Sequence, residues 1–254
     1  MLFLLLRLSP IFLPIVYYFT VFGLLKFNHL WLWWFVLIIV INLLFTILLA
    51  LRKYRKKIWF VFVYLIIYGT LGAVYATLLS NQVFIAVFVL VWSIMYFIYL
   101  EAIFNTFYRA KEMFLIGYKN IAAYTGLASF FVLVYCLTYF YTFLNFDWWL
   151  MMILFVIATF ALVFDRFIIQ TIDLKVDVRY ASVIVLVLLE LLAVLVWWSV
   201  SIYVVATILS VFYYLFNALA LNYLRANLTP KLIRHYLIFS GLVLVIVLLT
   251  TQWF

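Results

Sequence analysis

Nine apolar stretches, each about as long as a membrane-crossing helix, follow one another with only short polar breaks. They lie near 10–26, 31–51, 58–79, 83–107, 120–143, 148–165, 180–199, 201–222 and 236–253. About 20 mostly apolar residues cross the hydrocarbon core as a helix, and in lipid the helix satisfies every backbone polar group internally. The pattern therefore predicts an all-α fold: a polytopic integral membrane helical bundle of about nine transmembrane helices, within a count of eight to ten. Composition agrees. Apolar residues make up 73% of the 254 positions and mean hydropathy is +1.36, while charged residues are 9%, against about 25% in ordinary globular proteins. No Ser/Pro/Gly-rich linker divides the chain, so 1–254 reads as a single transmembrane domain.

The basic residues set the orientation. Of sixteen Lys and Arg, fifteen fall on one side of this zigzag: Arg7; Arg52, Lys53, Arg55, Lys56, Lys57; Arg109, Lys111, Lys119; Arg166, Lys175, Arg179; Arg225, Lys231, Arg234. Lys26 alone falls on the other. Positive charge in short loops marks the cytoplasmic side, so the reading is N-terminus in and C-terminus out. The first stretch lacks a small-x-small cleavage pattern and reads as a retained helix. The net charge of +9 is spent on topology and on anionic headgroups at the cytoplasmic face, above all at Arg52–Lys57, and not on nucleic acid. Trp and Tyr are expected at the membrane interfaces, where Trp31, Trp33, Trp34, Trp148, Trp149, Trp197 and Trp198 gather.

Small residues point to helix packing. Gly69, Gly72, Ala73 and Ala76 stand three or four apart in the third stretch, as do Ala122, Gly126 and Ser129 in the fifth; such spacing lets helices approach closely in lipid. Arg52, Arg109 and Arg166 are 57 residues apart. That interval is one helix out and one back, which a run of tight hairpins produces with or without a true repeat.

The outlier is Glu190, ten residues into the seventh stretch and flanked on its own face by Leu186, Val187, Ala193 and Val194. Intramembrane acids usually face the bundle interior and often have function. Asn42, Thr70, Ser93 and Ser210 are the polar residues at similar depth that could meet it. It reads either as a proton- or cation-handling group or as a hydrogen-bonding link between helices. A second candidate lies at the cytoplasmic face, where Glu101, Asn105 and Arg109 share one helix face. This row reads as a headgroup site or as an ion-paired helix end. Third, Asp173 and Asp177 form D-x-x-x-D in the loop after the sixth stretch, a weak metal candidate. The alternation over 173–179 also suits a strand-like or interfacial connector. The single Cys136, and His29 and His235 on opposite sides, leave no Cys/His metal site, no catalytic constellation emerges, and no cofactor is expected.

From about residue 95 onward the chain loosely resembles an uncharacterised family of bacterial, candidate-phylum multi-pass membrane proteins. The residues concerned are Asn105 to Arg109, Glu190 with Trp197-Trp198, and the last stretch from Tyr236 to Leu248-Leu249-Thr250-Thr251-Gln252-Trp253. The resemblance implies a bacterial inner membrane and no known activity. Asp173 and Asp177 also look, in position, like one aspartate motif of the nine-helix UbiA-type prenyltransferases. The second acidic motif of that family has no counterpart, because 52–57 contains no acid.

Three function classes follow. The first is a structural or accessory protein acting through lipids or other membrane proteins. The second is a small-solute or lipid transporter using Glu190, and the third a prenyltransferase-like membrane enzyme. The sequence leans away from the enzyme.

Overall fold

The computed structural model describes residues 2–26, 31–50, 55–109, 112–168, 174–198 and 200–250. Side chains in parts of these stretches lie outside the description. The described residues form nine helices and no strand: α1 (Leu2–Lys26), α2 (Trp31–Ala50), α3 (Arg55–Leu78), α4 (Gln82–Arg109), α5 (Glu112–Phe143), α6 (Trp148–Ile168), α7 (Leu174–Trp197), α8 (Ile202–Leu224) and α9 (Pro230–Thr250). Eight of them, all but α2, are long and apolar enough among the described residues to cross a membrane. The protein is a multi-pass membrane protein with an all-helical fold.

Several helices outrun the apolar stretches that signalled them. α1 starts at Leu2 where 10 was expected, α5 at Glu112 where 120 was, and α7 at Leu174 where 180 was. Hydropathy detects only the part of a helix that must sit in hydrocarbon; polar turns at either end stay helical because their backbone bonds are still best made internally. The same extension corrects the reading of the segment between the sixth and seventh stretches as a loop. Asp165 and Arg166 belong to α6, and 174–179 is the first turn and a half of α7, not a strand-like connector.

Two compact units share α5: Met1–Thr125 and Gly126–Phe254. In the first unit, α1 packs most extensively on α4, then on α2 and α3. Its buried stripe is Pro10, Pro14, Tyr17, Val21 and Leu24, spaced three or four apart. Arg7 meets Glu101 and Tyr17 meets Tyr96, so α1 and α4 run antiparallel. The small-residue stripe of α3 does what its spacing predicts. Ala73 and Ala76 are fully buried, and Trp92 and Tyr17 crowd the bare face of Gly72.

Tyrosine fills this core instead of confining itself to the interfaces. Tyr68 stacks on Trp92 (4.5 Å) and on Tyr96 (5.5 Å), and Tyr64 packs on Tyr99 (4.6 Å). A buried phenol needs a partner. Tyr17 donates to the Gly69 carbonyl (2.9 Å) and Tyr68 to that of Trp92 (3.0 Å), while the Tyr99 and Tyr118 hydroxyls lie 3.3 Å apart.

In the second unit α7 lies between α6 and α8, and α9 packs on α8. The α7 face turned inward carries Ala181, Ile184, Val185, Leu188, Leu192 and Leu195. From α5, Phe130 stacks on Tyr213 at 4.3 Å and Gly126 makes room for the same tyrosine. A Schellman cap ends α8: Asn227 N–H donates to Asn222 O (3.0 Å) and Ala226 N–H to Tyr223 O (2.9 Å), with Ala226 in the left-handed region at φ 54°.

Candidate functional sites

A gathering of buried polar groups stands in the second unit, where the basic-side ends of α6 and α7 meet the middle of α8. Asp165 and Arg166 occupy the last turn of α6, Asp177 the first of α7, and Tyr213 and Asn217 stand one turn apart on α8. Arg166 is 4% exposed, Asp165 and Asp177 1%, Tyr213 and Asn217 0%. The Arg166 guanidinium sits 5.8 Å from the centre of the Tyr213 ring, a cation–π distance. The Tyr213 hydroxyl reaches the Leu162 carbonyl (3.3 Å), and the Asn217 amide donates to the Tyr213 carbonyl (2.7 Å). Neither Nε nor Nη1 of Arg166 has a hydrogen-bond partner, nor does Asn217 Oδ1. At the rim stands Arg225, fixed by the α8 cap. Loss of hydration holds its pKa below the ordinary arginine value; Tyr236 opposes that and the charge of Arg166 reinforces it.

A smaller constellation lies in the first unit, between the start of α1 and the last third of α4. Arg7 Nη1 pairs with Glu101 Oε1 at 2.7 Å, Asn105 donates to the same oxygen at 3.1 Å, and Arg7 lies 5.4 Å from the Phe104 ring centre. Glu101 and Asn105 therefore share a face, as the sequence predicts. The cation they meet is Arg7, from the other end of the sequence of this unit. Arg109 ends α4, with its side chain outside the described ones.

Compared with known protein families, curated proteins and solved structures, the chain matches none. What it does must be argued from its own residues.

Glu190 is not where intramembrane acids usually point. It is exposed, turned away from the second unit's core, in an outward stripe with Leu186, Val194 and Trp197. It makes no hydrogen bond or ion pair among the described residues. Because α7 starts at Leu174, Glu190 also sits nearer its far end, about 10 Å of helix rise short of Trp197.

Of the residues proposed to meet it, Asn42, Thr70 and Ser210 make hydrogen bonds of their own. In the first unit Asn42 is buried, accepts from the Tyr96 hydroxyl and donates to Ile38 O (2.8 Å). Thr70 donates to Ile66 O (2.8 Å), and in the second unit Ser210 donates to Ala206 O (2.7 Å). Ser93 is buried with no partner for its hydroxyl. It lines an apolar groove of about 460 Å³ between α1 and α4, with Ile11, Pro14, Tyr18 and Phe97.

Asp173 lies outside the described residues. Asp177 is buried at the base of α7, and among the described residues no three His, Cys, Asp or Glu side chains converge as metal ligands. The cluster around Arg166 was only half visible in the sequence. In the sequence Arg166 stands out only as one of the basic residues that set the orientation. Asn217 does not stand out, although an amide inside an apolar stretch is a signal that could have found it.

Proposed function

We propose that the protein is a structural or accessory component of the bacterial inner membrane, N-terminus in the cytoplasm, that works through partners gripped within the bilayer. Glu190 carries the reading. A carboxyl group on a lipid-facing helix surface costs about 2–3 kcal/mol or more unless something meets it, and the face around it is otherwise apolar. A partner helix bringing a donor to that depth would remove the cost. Interlocked polar groups at the basic side, as in Arg7–Glu101–Asn105, also suit a packed scaffold better than an aqueous path.

A photo-crosslinking residue at Leu186, on the same face as Glu190, tests this in native membranes. The expected result is one discrete protein adduct, kept in Glu190→Gln and lost in Glu190→Leu. Lipid adducts alone, together with solute flux in proteoliposomes that Glu190→Gln abolishes, would overturn the reading in favour of a transporter.

A further inference from the structure

Glu190 is exposed on the outward side of α7. Val183, Leu186, Ala193 and Trp197 lie on the same line along the helix, three or four residues apart. Val183, Leu186 and Trp197 are exposed, and Ala193 is half-buried. The opposite side of α7 is already committed: Ala181, Ile184, Leu188 and Leu192 are buried where the helix packs on α6 and α8. The outward line is therefore apolar except at one level. Whatever covers it must bring a hydrogen-bonding group to that level and apolar side chains above and below.

A second copy of the chain meets this demand in full. Copies inserted by the same charge rule share one orientation, so their α7 helices run parallel. In a two-fold pair about the membrane normal, each residue meets its own counterpart at the same depth. Glu190 then faces the partner's Glu190. A neutral carboxylic acid has one O–H donor and a carbonyl acceptor. Two of them are complementary, because each donates to the other and no charge is added. Ala193 is too small to hold the backbones apart beside that contact. Arg179, at the basic end of the same line, is exposed, and its long stem carries the guanidinium out to the headgroups, so the two cations need not meet. A different protein would have to carry a donor at this depth of its own. A basic donor would also have to stay charged in hydrocarbon, at a cost of about 2–3 kcal/mol or more.

We infer that the chain forms a two-fold dimer through the outward faces of α7, with Glu190 and the partner's Glu190 hydrogen-bonded to each other across the axis. The inference rests on the docking reading of Glu190 and names the docked partner as a second copy.

The test places a photo-crosslinking residue at Leu186 in the purified full chain, in proteoliposomes at high lipid dilution, and repeats the experiment in native membranes. The expected product in both is a covalent pair of twice the 30.2 kDa chain mass, with both linked peptides from α7. A crosslinker at Ile153, on the exposed side of α6, should give lipid adducts only. Subunit counting by single-molecule photobleaching across a lipid dilution series gives the dimer midpoint. Glu190→Gln should leave that midpoint nearly unchanged, since an amide also donates and accepts. Glu190→Leu should move it about tenfold toward monomer, the loss of the interhelical hydrogen bonds. Both substitutions lie on the outward face and leave the core of the second unit intact. A Leu186 adduct to a different protein in native membranes, with the purified chain monomeric, overturns the dimer and leaves the docking reading standing. No protein adduct in either setting removes both. A self-adduct whose midpoint Glu190→Leu does not move overturns the inference as well.

Discussion

Replacing Gly72 with alanine should cost roughly 2–4 kcal/mol of stability, and the reason is local. A methyl group there would sit 2.6 Å from the Tyr17 hydroxyl and overlap the Trp92 indole. Neither neighbour is free to leave. Tyr17 is held by its bond to the Gly69 carbonyl. Trp92 stacks on Tyr68 with planes 16° apart, donates from Nε1 to the Tyr68 carbonyl at 3.2 Å, and accepts from the Tyr68 hydroxyl. Overpacking of this kind costs about 1–3 kcal/mol. Displacing the indole adds about 1 kcal/mol for its hydrogen bond and about 1 for the ring pair. The better helix propensity of alanine returns up to about 1 kcal/mol. Gly241, in α9, is the control, because an added methyl meets nothing within 4 Å. Gly241→Ala should be neutral or up to about 1 kcal/mol stabilising. SDS-titrated unfolding in mixed micelles, followed by far-UV circular dichroism, measures both. Gly72→Ala within about 0.5 kcal/mol of wild type, or equal damage from both substitutions, would refute the packing argument.

Two further outcomes follow from other places. Ala226 holds a left-handed conformation that costs an L-residue about 1 kcal/mol. Ala226→Gly should therefore stabilise the protein by roughly 0.5–1 kcal/mol in the same SDS titration; a loss would mean that the α8 cap does not form as described. Arg7 and Glu101 are 40% and 26% exposed, so their ion pair is partly hydrated. Arg7→Gln and Glu101→Gln should each cost about 1 kcal/mol or less. A double-mutant cycle should show most of that as coupling, and strictly additive losses would mean that the pair contributes nothing.

The sequence made the architecture legible because lipid imposes a length rule, and nine apolar stretches correspond to nine described helices. It made the small-residue contact of α3 legible too, since Gly69 and Gly72 sit one turn apart with Ala73 and Ala76. It did not show which way each helix turns. In a soluble protein the polar face marks the outside. Here α7 is apolar on both faces: Leu188 and Leu192 point in, Leu186 and Val194 point out. Periodicity cannot separate those sets when lipid and core are equally apolar. Glu190 therefore carried no directional information, and the general habit of intramembrane acids suggested the interior.

The same blindness explains why the site at Arg166 had to come from the structure. A loop charge and a buried charge look alike in sequence when an apolar stretch ends in Asp165-Arg166. They differ only through what closes over them. Here Asp177 comes from α7, Tyr213 and Asn217 from α8, and the bare face of Gly126 on α5 admits the Tyr213 hydroxyl. Four helices thus bury a cation that basic-side topology alone would leave hydrated. Topology explains why an arginine stands at this end of α6. It does not explain why the fold surrounds it with two acids, an amide and an aromatic ring and still leaves two of its donors free. A residue that only marked orientation would stay in the aqueous loop, as Lys231 does at the exposed start of α9. The burial of Arg166 therefore requires a second reason, and the buried acids and the Tyr213 ring that close around it supply one.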